Sequence, residues 1–259
     1  MKTSCLIIGD REYRMKRIKL TVAYDGTHYC GWQIQKNGIT VEEVLNKTLS
    51  KFFKEEITVI GASRTDSGVH AMGNVAVFDA NVTMPPDKIS YAINNLLPDD
   101  IRIQKSEEVA SDFHPRYCDT RKTYEYRIYN AQFPDPMVRL YSHFVYYHLD
   151  EEKMQQAAEY LVGEHDFKSF CTPKDDVENT VRIIYYIKVI REGNMVRIRI
   201  NGNGFLYNMV RIIVGSLMKV GMGMIPPEEV HNILEAKDRT RAGHKAAACG
   251  LTLMEVEYL

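Results

Sequence analysis

Apolar residues recur along the chain with two spacings, and they divide it into strands and helices. From Lys16 to Asp25 every second residue is apolar (Ile18, Leu20, Val22, Tyr24), the signature of a strand with one buried face. Thr40-Val41-Glu42-Glu43 predicts a helix start, with Thr40 as N-cap and Glu43 closing a capping box. Val44, Leu45, Leu49, Phe52 and Phe53 then form a helical stripe to about Lys54. Ile57–Ile60 and Val75–Phe78 read as strands, and Pro85-Pro86-Asp87 opens a helix through Ile89, Ala92, Ile93 and Leu96 that stops at Pro98. Ile101–Val109 is another strand. The order β-α-β-β-α-β is ferredoxin-like.

The second half echoes the first. Arg121–Asn130 predicts a strand, followed by a loop with Pro134 and Pro136, and Asp150 opens a helix through Met154, Ala157, Ala158 and Leu161. Strands are expected at Arg182–Ile190 and Val196–Ile200, then a turn at Asn201–Gly204 into a helix Phe205–Val220. A short helix from Pro226-Pro227-Glu228 to Ala236 precedes a closing strand, Leu251–Tyr258. The fold class is therefore α+β: two ferredoxin-like halves sharing a mixed, largely antiparallel sheet flanked by helices. The predicted organisation is a tail over 1–15, an N-terminal half over 16–113 and a C-terminal half over 114–259, with the boundary near Phe113–Arg116.

One loop stands out for chemistry. Gly61-Ala62-Ser63-Arg64-Thr65-Asp66-Ser67-Gly68-Val69-His70-Ala71 is a Gly-bounded turn between two apolar runs, which holds a side chain outward with little freedom. In extended backbone Arg64 and Asp66 share one face, and a neighbouring guanidinium favours the charged carboxylate that a nucleophile requires. The other reading is an ordinary Asp-Ser-Gly surface turn. Tyr124 alternates with Tyr126 and Ile128 on its strand; such a ring either packs the sheet or stacks on a base. Arg211 lies among Leu206, Met209, Val210, Ile212 and Ile213, so it either needs a partner or snorkels at a helix edge. His70 and His114 read as structural, and Met209, Met218, Met222 and Met224 as core or subunit interface.

Composition narrows the classes. Of 259 residues, 45% are hydrophobic and 26% charged, the balance of a globular protein. No apolar run approaches a bilayer span and no signal-peptide core is visible, which predicts a cytoplasmic protein with no membrane partner. Five scattered cysteines, Cys5, Cys30, Cys118, Cys171 and Cys249, form no C-x-x-C pair, so free thiols and no metal site are expected. A net charge of −1 argues against a polyanion partner until its distribution is read. Residues 182–211 hold six basic residues against Glu192, whereas 135–181 hold four basic and ten acidic ones. Such segregation either builds a basic groove or interleaves strands with acidic helices.

The motifs then decide. The Arg64–Ala71 segment resembles the R-T-D-x-G-V-H-A signature of the TruA family of tRNA pseudouridine synthases. Tyr24-Asp25-Gly26 with Gly31-Trp32-Gln33, Lys122–Asn130, Phe205–Arg211 with Val214-Gly215, and Gly250-Leu251 resemble four further segments of that family, in family order. The resemblance implies catalysis by Asp66 as nucleophile or base. It implies Arg64 taking the flipped nucleotide's place in the RNA stack, Tyr124 as the active-site tyrosine, Arg211 paired with Asp66, and Leu251 touching the pocket. It further implies a tRNA substrate bound at the anticodon arm by a homodimer, modification at about positions 38 to 40, and no cofactor. Gly243–Gly250 departs from the family's A-P-A-x-G-L form, so the turn before Leu251 is expected to differ in shape. The rival readings are a hydrolase using Asp66 with a second carboxylate and an RNA-binding module without catalysis.

Overall fold

The computed structural model describes residues 15–173 and 179–259. Cys5 and the predicted tail lie outside the described residues, apart from Met15, which opens the first strand. The first half runs β1 (Met15–Tyr24), α1 (Val41–Phe53), β2 (Ile60–Gly61), β3 (His70–Asn81), α2 (Ile89–Asn94) and β4 (Ile101–Val109). The second runs β5 (Thr120–Asn130), β6 (His143–Val145), α3 (Glu151–Glu159), β7 (Gly163–Asp166), β8 (Val181–Glu192), β9 (Met195–Gly202), α4 (Met209–Gly221), α5 (Glu229–Ala236) and β10 (Leu251–Tyr258).

The ten strands of the described residues form one sheet, ordered β4-β1-β3-β10-β5-β9-β8-β7, with β2 on β3 and β6 on β5. Each half keeps the ferredoxin-like order, β4-β1-β3-β2 and β10-β5-β9-β8. The halves join where β10 runs parallel to β3, Thr252 opposite His70 and Leu253 opposite Ala71. That join is possible because β2 is only two residues long and pairs with the middle of β3, at Val77 and Ala76, leaving its first residues free for β10. The expected strand at Ile57–Ile60 is cut short for a local reason. The amides of Ile57 and Val59 are taken by the side chains of Ser50 and Asn46 on α1, so neither joins a ladder.

Helix starts follow their caps. Thr40 accepts from the amide of Glu43 as expected, but the Glu43 carboxylate bonds Lys47 instead of closing the box. The helix predicted from Phe205 begins only at Met209. Asn208 sits at φ 62°, which an asparagine tolerates, and the preceding residues bend so that the Phe205 ring meets Tyr124 edge-on at 5.2 Å. Strands β6 and β7, of three and four residues, carry too little alternation to be foreseen. Two cores result: Ile18, Leu20 and Val22 under α1, and Tyr126, Ile128, Ile198 and Ile200 under α3 and α4. Tyr124 packs against both.

The opposite face of β5 holds Glu125, fully buried between the guanidiniums of Arg127 and Arg199, each at 2.7 Å. Burial pulls its carboxyl up, but the hydrogen bonds and charges of the two arginines leave it below the ordinary value. Glu125→Gln should cost about 2–3 kcal/mol, under the usual figure for a broken buried pair because both arginines reach solvent. A depressed carboxyl stabilises the fold above its unfolded pKa. The difference between wild type and variant in urea denaturation should therefore be full above about pH 5 and shrink below it.

Candidate active site

The loop between β2 and β3 is clamped at nearly every residue. Ala62 N donates to Val75 O at 2.7 Å, and Asn74 Nδ2, fully buried, donates to Ser63 O at 3.1 Å. Trp32 N donates to Thr65 O at 3.0 Å, while the Thr65 hydroxyl and the Tyr24 hydroxyl bond at 2.7 Å. Gly68 N and Ser67 Oγ both reach Tyr29 O. Val69 N donates to Asp66 O at 3.1 Å, closing a turn that has Gly68 at φ 77°.

The two segments that press on the loop do so through glycine. A Cβ on Gly26 would stand 2.0 Å from Val69 O, and one on Gly31, itself at φ 86°, 2.5 Å from Thr65 O. The Tyr24–Gly26 and Gly31–Gln33 motifs are thus the bed on which the Asp66 loop rests. His70, buried, accepts from Gly26 N through Nδ1 and meets Leu140 O through Nε2 at 3.0 Å, so it holds structure as expected. His114 stacks on Tyr117 at 4.0 Å.

Asp66 receives its counter-ion from 145 residues away: Arg211 Nη1 lies 3.3 Å from Asp66 Oδ2. Arg211 is 8% exposed, and its Nε donates to Ala246 O at 2.7 Å, which fixes the guanidinium. The expected Arg64–Asp66 pairing does not form; Arg64 is exposed. Residues 64–66 keep their alternation, with Thr65 buried between exposed Arg64 and half-buried Asp66, but the carboxylate is taken by Arg211 from the other half. The backbone follows the same logic around Gly215, where a Cβ would strike His244 O at 1.8 Å, so the segment leading to Ala246 lies directly on α4.

Tyr124 completes the group. Burial raises its hydroxyl well above the ordinary value, and the charge of Asp66 raises it further, so it stays a proton-bearing donor. The Ser63 hydroxyl beside it pulls the other way, yet no hydrogen bond closes, and Ser63 Oγ is buried without a partner. Leu251, 5% exposed, stands opposite Tyr126 within the second core. Ala248, which sequence reasoning did not single out, is the residue that faces the loop, 3.2 Å from where a Gly68 Cβ would sit. The departing segment forms a 3₁₀ turn over Ala248–Gly250, with Ala247 O accepting from the Tyr126 hydroxyl.

The basic stretch 182–211 is largely neutralised in place. Arg191 pairs with Glu151, Arg197 with Glu192, Arg199 with Glu125 and Arg211 with Asp66, so four of its six basic residues have an acid beside them. The methionines divide: Met209 and Met218 are buried in the second core, Met222 packs against it and Met224 is 66% exposed. Cys30, Cys118, Cys171 and Cys249 are free thiols. Among the described residues no helix is long and apolar enough to cross a membrane.

Comparison with known proteins gives a consistent family. The family profile described as tRNA pseudouridine synthase matches residues 20–118 and 157–259. The tRNA pseudouridine synthase A of Ruminiclostridium cellulolyticum is 51% identical over 245 residues, covering 94% of this chain and 100% of that protein. The protein of the same name from Acetivibrio thermocellus is 48% identical over 244 residues, with the same coverage. Among solved structures, a chain of the "Crystal Structure of a Cbf5-Nop10-Gar1 Complex" is remote, at TM-score 0.33 and 13% identity over 91% of this chain and 47% of that one.

The glycine bed is open to test. Gly31→Ala adds both left-handed backbone strain and collision with Thr65 O, whereas Gly193→Ala, at φ 59° with open space around it, adds strain alone. Thermal melts should show Gly31→Ala costing at least about 2 kcal/mol more than Gly193→Ala. Equal costs would mean that the loop does not press on Gly31.

Proposed function

Since the chain belongs to the tRNA pseudouridine synthase family, we propose that it isomerises uridine to pseudouridine in tRNA, with Asp66 as the catalytic residue. The observation that carries the site assignment is the meeting of Asp66, Arg211 and Tyr124, brought from a loop, a helix and a strand of both halves. The reaction breaks the bond from ribose to the uracil nitrogen, turns the base and rejoins it through carbon. It is an isomerisation, so it consumes no cofactor and requires no redox partner.

Each residue has a task suited to its setting. Asp66, fixed by a clamped loop and the Arg211 charge, acts as nucleophile or base on the bound nucleotide. Tyr124 offers a ring for stacking and a hydroxyl that keeps its proton, fit to donate during rearrangement. Arg64, exposed at the loop's outer side, is placed to fill the gap left by a flipped nucleotide, whose extrusion costs a few kcal/mol. Leu251 serves the pocket from behind, through Tyr126 and the Ala248 turn. Family likeness extends this reading to a cytoplasmic homodimer that holds the anticodon arm and modifies uridines at about positions 38 to 40.

A two-carboxylate hydrolase fits less well. The next acid along β5, Glu125, faces the other side of the sheet, where Arg127 and Arg199 hold it. A catalytically inert RNA-binding module is separated by one variant. Asp66→Asn should abolish pseudouridine formation while tRNA affinity stays within about threefold, since affinity comes from phosphate contacts. Turnover by a pure Asp66→Asn preparation would remove Asp66 from the mechanism.

Tyr124 is tested by a pair. Tyr124→Phe keeps the ring and removes the hydroxyl; Tyr124→Leu removes both. We expect both to lose about 10²–10⁴-fold in rate, as for a missing proton donor, while thermal melts show folded protein. Phenylalanine retaining most activity would confine the ring to stacking, and wild-type rates in both would make Tyr124 a packing residue.

A further inference from the structure

Four cations that have no carboxylate partner among the described residues lie together at the root of the catalytic loop. Arg116 Nε donates to Gly61 O at 2.8 Å and Lys122 Nζ donates to Ala62 O at 3.1 Å, so two positive side chains hold consecutive carbonyls. Arg64 and Arg182 lie close enough for their charges to act on Lys122. Among the described residues none of these four pairs with a carboxylate. The contrast with Arg191, Arg197, Arg199 and Arg211 is sharp, since each of those has its acid.

Strand geometry explains the missing acid. Lys122 shares a face of β5 with Tyr124, two residues on, and therefore with the active site. Its cross-strand partners are Val256 on β10 and Gly202 on β9, neither of them charged. The acids flanking Val256, Glu255 and Glu257, stand opposite Thr123 and Arg121 and so point to the other face. The loop contributes Arg64, the segment before β5 contributes Arg116, and β8 contributes Arg182. A group of like charges, two exposed and two partly buried, that has no counter-ion among the described residues is unfavourable in the free protein and suits an anion that arrives later.

We propose that Arg116 and Lys122, with Arg64 and Arg182 beside them, form the seat for one RNA backbone phosphate next to the target uridine, and that Lys122 takes up a proton from solvent as the phosphate docks. The reading rests on the tRNA-modifying function above. Burial first, then the charges of Arg116, Arg64 and Arg182, lowers the Lys122 ammonium to about 8 in the free protein. An arriving phosphate replaces lost solvation and reverses the repulsion, so the bound form is fully protonated. The proton is supplied by buffer, the amine becomes an ammonium, and no covalent bond to RNA forms. Because the bound value exceeds the free one, affinity is greatest below the free value and falls as pH rises through it.

The test uses the whole protein with a prefolded anticodon stem-loop at constant ionic strength. For wild type, Kd should rise about tenfold between about pH 7 and 9, the ratio expected when a free value near 8 is lifted well above 9. Calorimetry at about pH 8 in buffers of different ionisation enthalpy should count about half a proton taken up per RNA bound. Lys122→Arg, whose charge is permanent, should bind with a Kd that changes less than about twofold over that range and take up no proton. Lysine-selective NMR of wild type gives the same answer without a variant: the Lys122 signal should titrate in free protein and stop titrating with RNA bound. Flat wild-type affinity with no proton uptake, or an unchanged slope in Lys122→Arg, overturns the proposal. Either result alongside normal pseudouridine formation leaves the catalytic assignment standing, whereas absence of pseudouridine counts against that assignment instead.

Discussion

Strand β3 has to serve two neighbours on one edge, and the architecture follows from how it divides that edge. Its middle accepts the two-residue β2, and its first residues accept β10 in parallel. If β2 continued, β10 would have no place beside β3 and the halves would form separate sheets. Where β2 stops, the chain leaves the sheet as the Asp66 loop, directly over the join. The same short pairing therefore unites the halves and positions the loop at their meeting line. Helix α4 then reaches it from the second half with Arg211.

Charge at this join is arranged in two ways. Where a basic residue has its acid, as Arg199 has Glu125, the pair is internal and adds nothing to the field that an RNA meets. Where it has none, as at Arg116 and Lys122, the positive charge is held by main-chain carbonyls and stays available. A neutral chain thus presents a local excess of positive charge beside Asp66. The overall net charge of −1 is uninformative about that surface.

Much of this was legible in the sequence. The strands Ile101–Val109 and Leu251–Tyr258 have the predicted bounds, although the apolar phase of the latter changes between Leu253 and Met254, where the structure has a bulge. Features decided by long-range contacts were not legible. The amides of Ile57 and Val59 are diverted by Ser50 and Asn46 of a neighbouring helix, which no local pattern records. Proximity along the chain suggested Arg64 beside Asp66, and that pair does not form; the Arg211–Asp66 pair, which the family motifs implied, is the one that does. Lys122 was within reach of the same alternation that marked Tyr124, since both lie on one face of β5. The orphaned Ser63 hydroxyl became visible only with side chains packed around it.

The place of β10 in the sheet also has a consequence in time. It follows every other strand in chain order, yet it lies at the centre, between β3 and β5. A chain made from its N-terminus onward must therefore hold two open strand edges until residues 251–258 arrive. Open edges are surfaces on which other chains can pair, so this interval is the one most exposed to mispairing. Closing the gap also joins residues far apart in sequence, which slows the step relative to forming either half alone. The catalytic group is consequently assembled late, by the same event that removes the exposed edges.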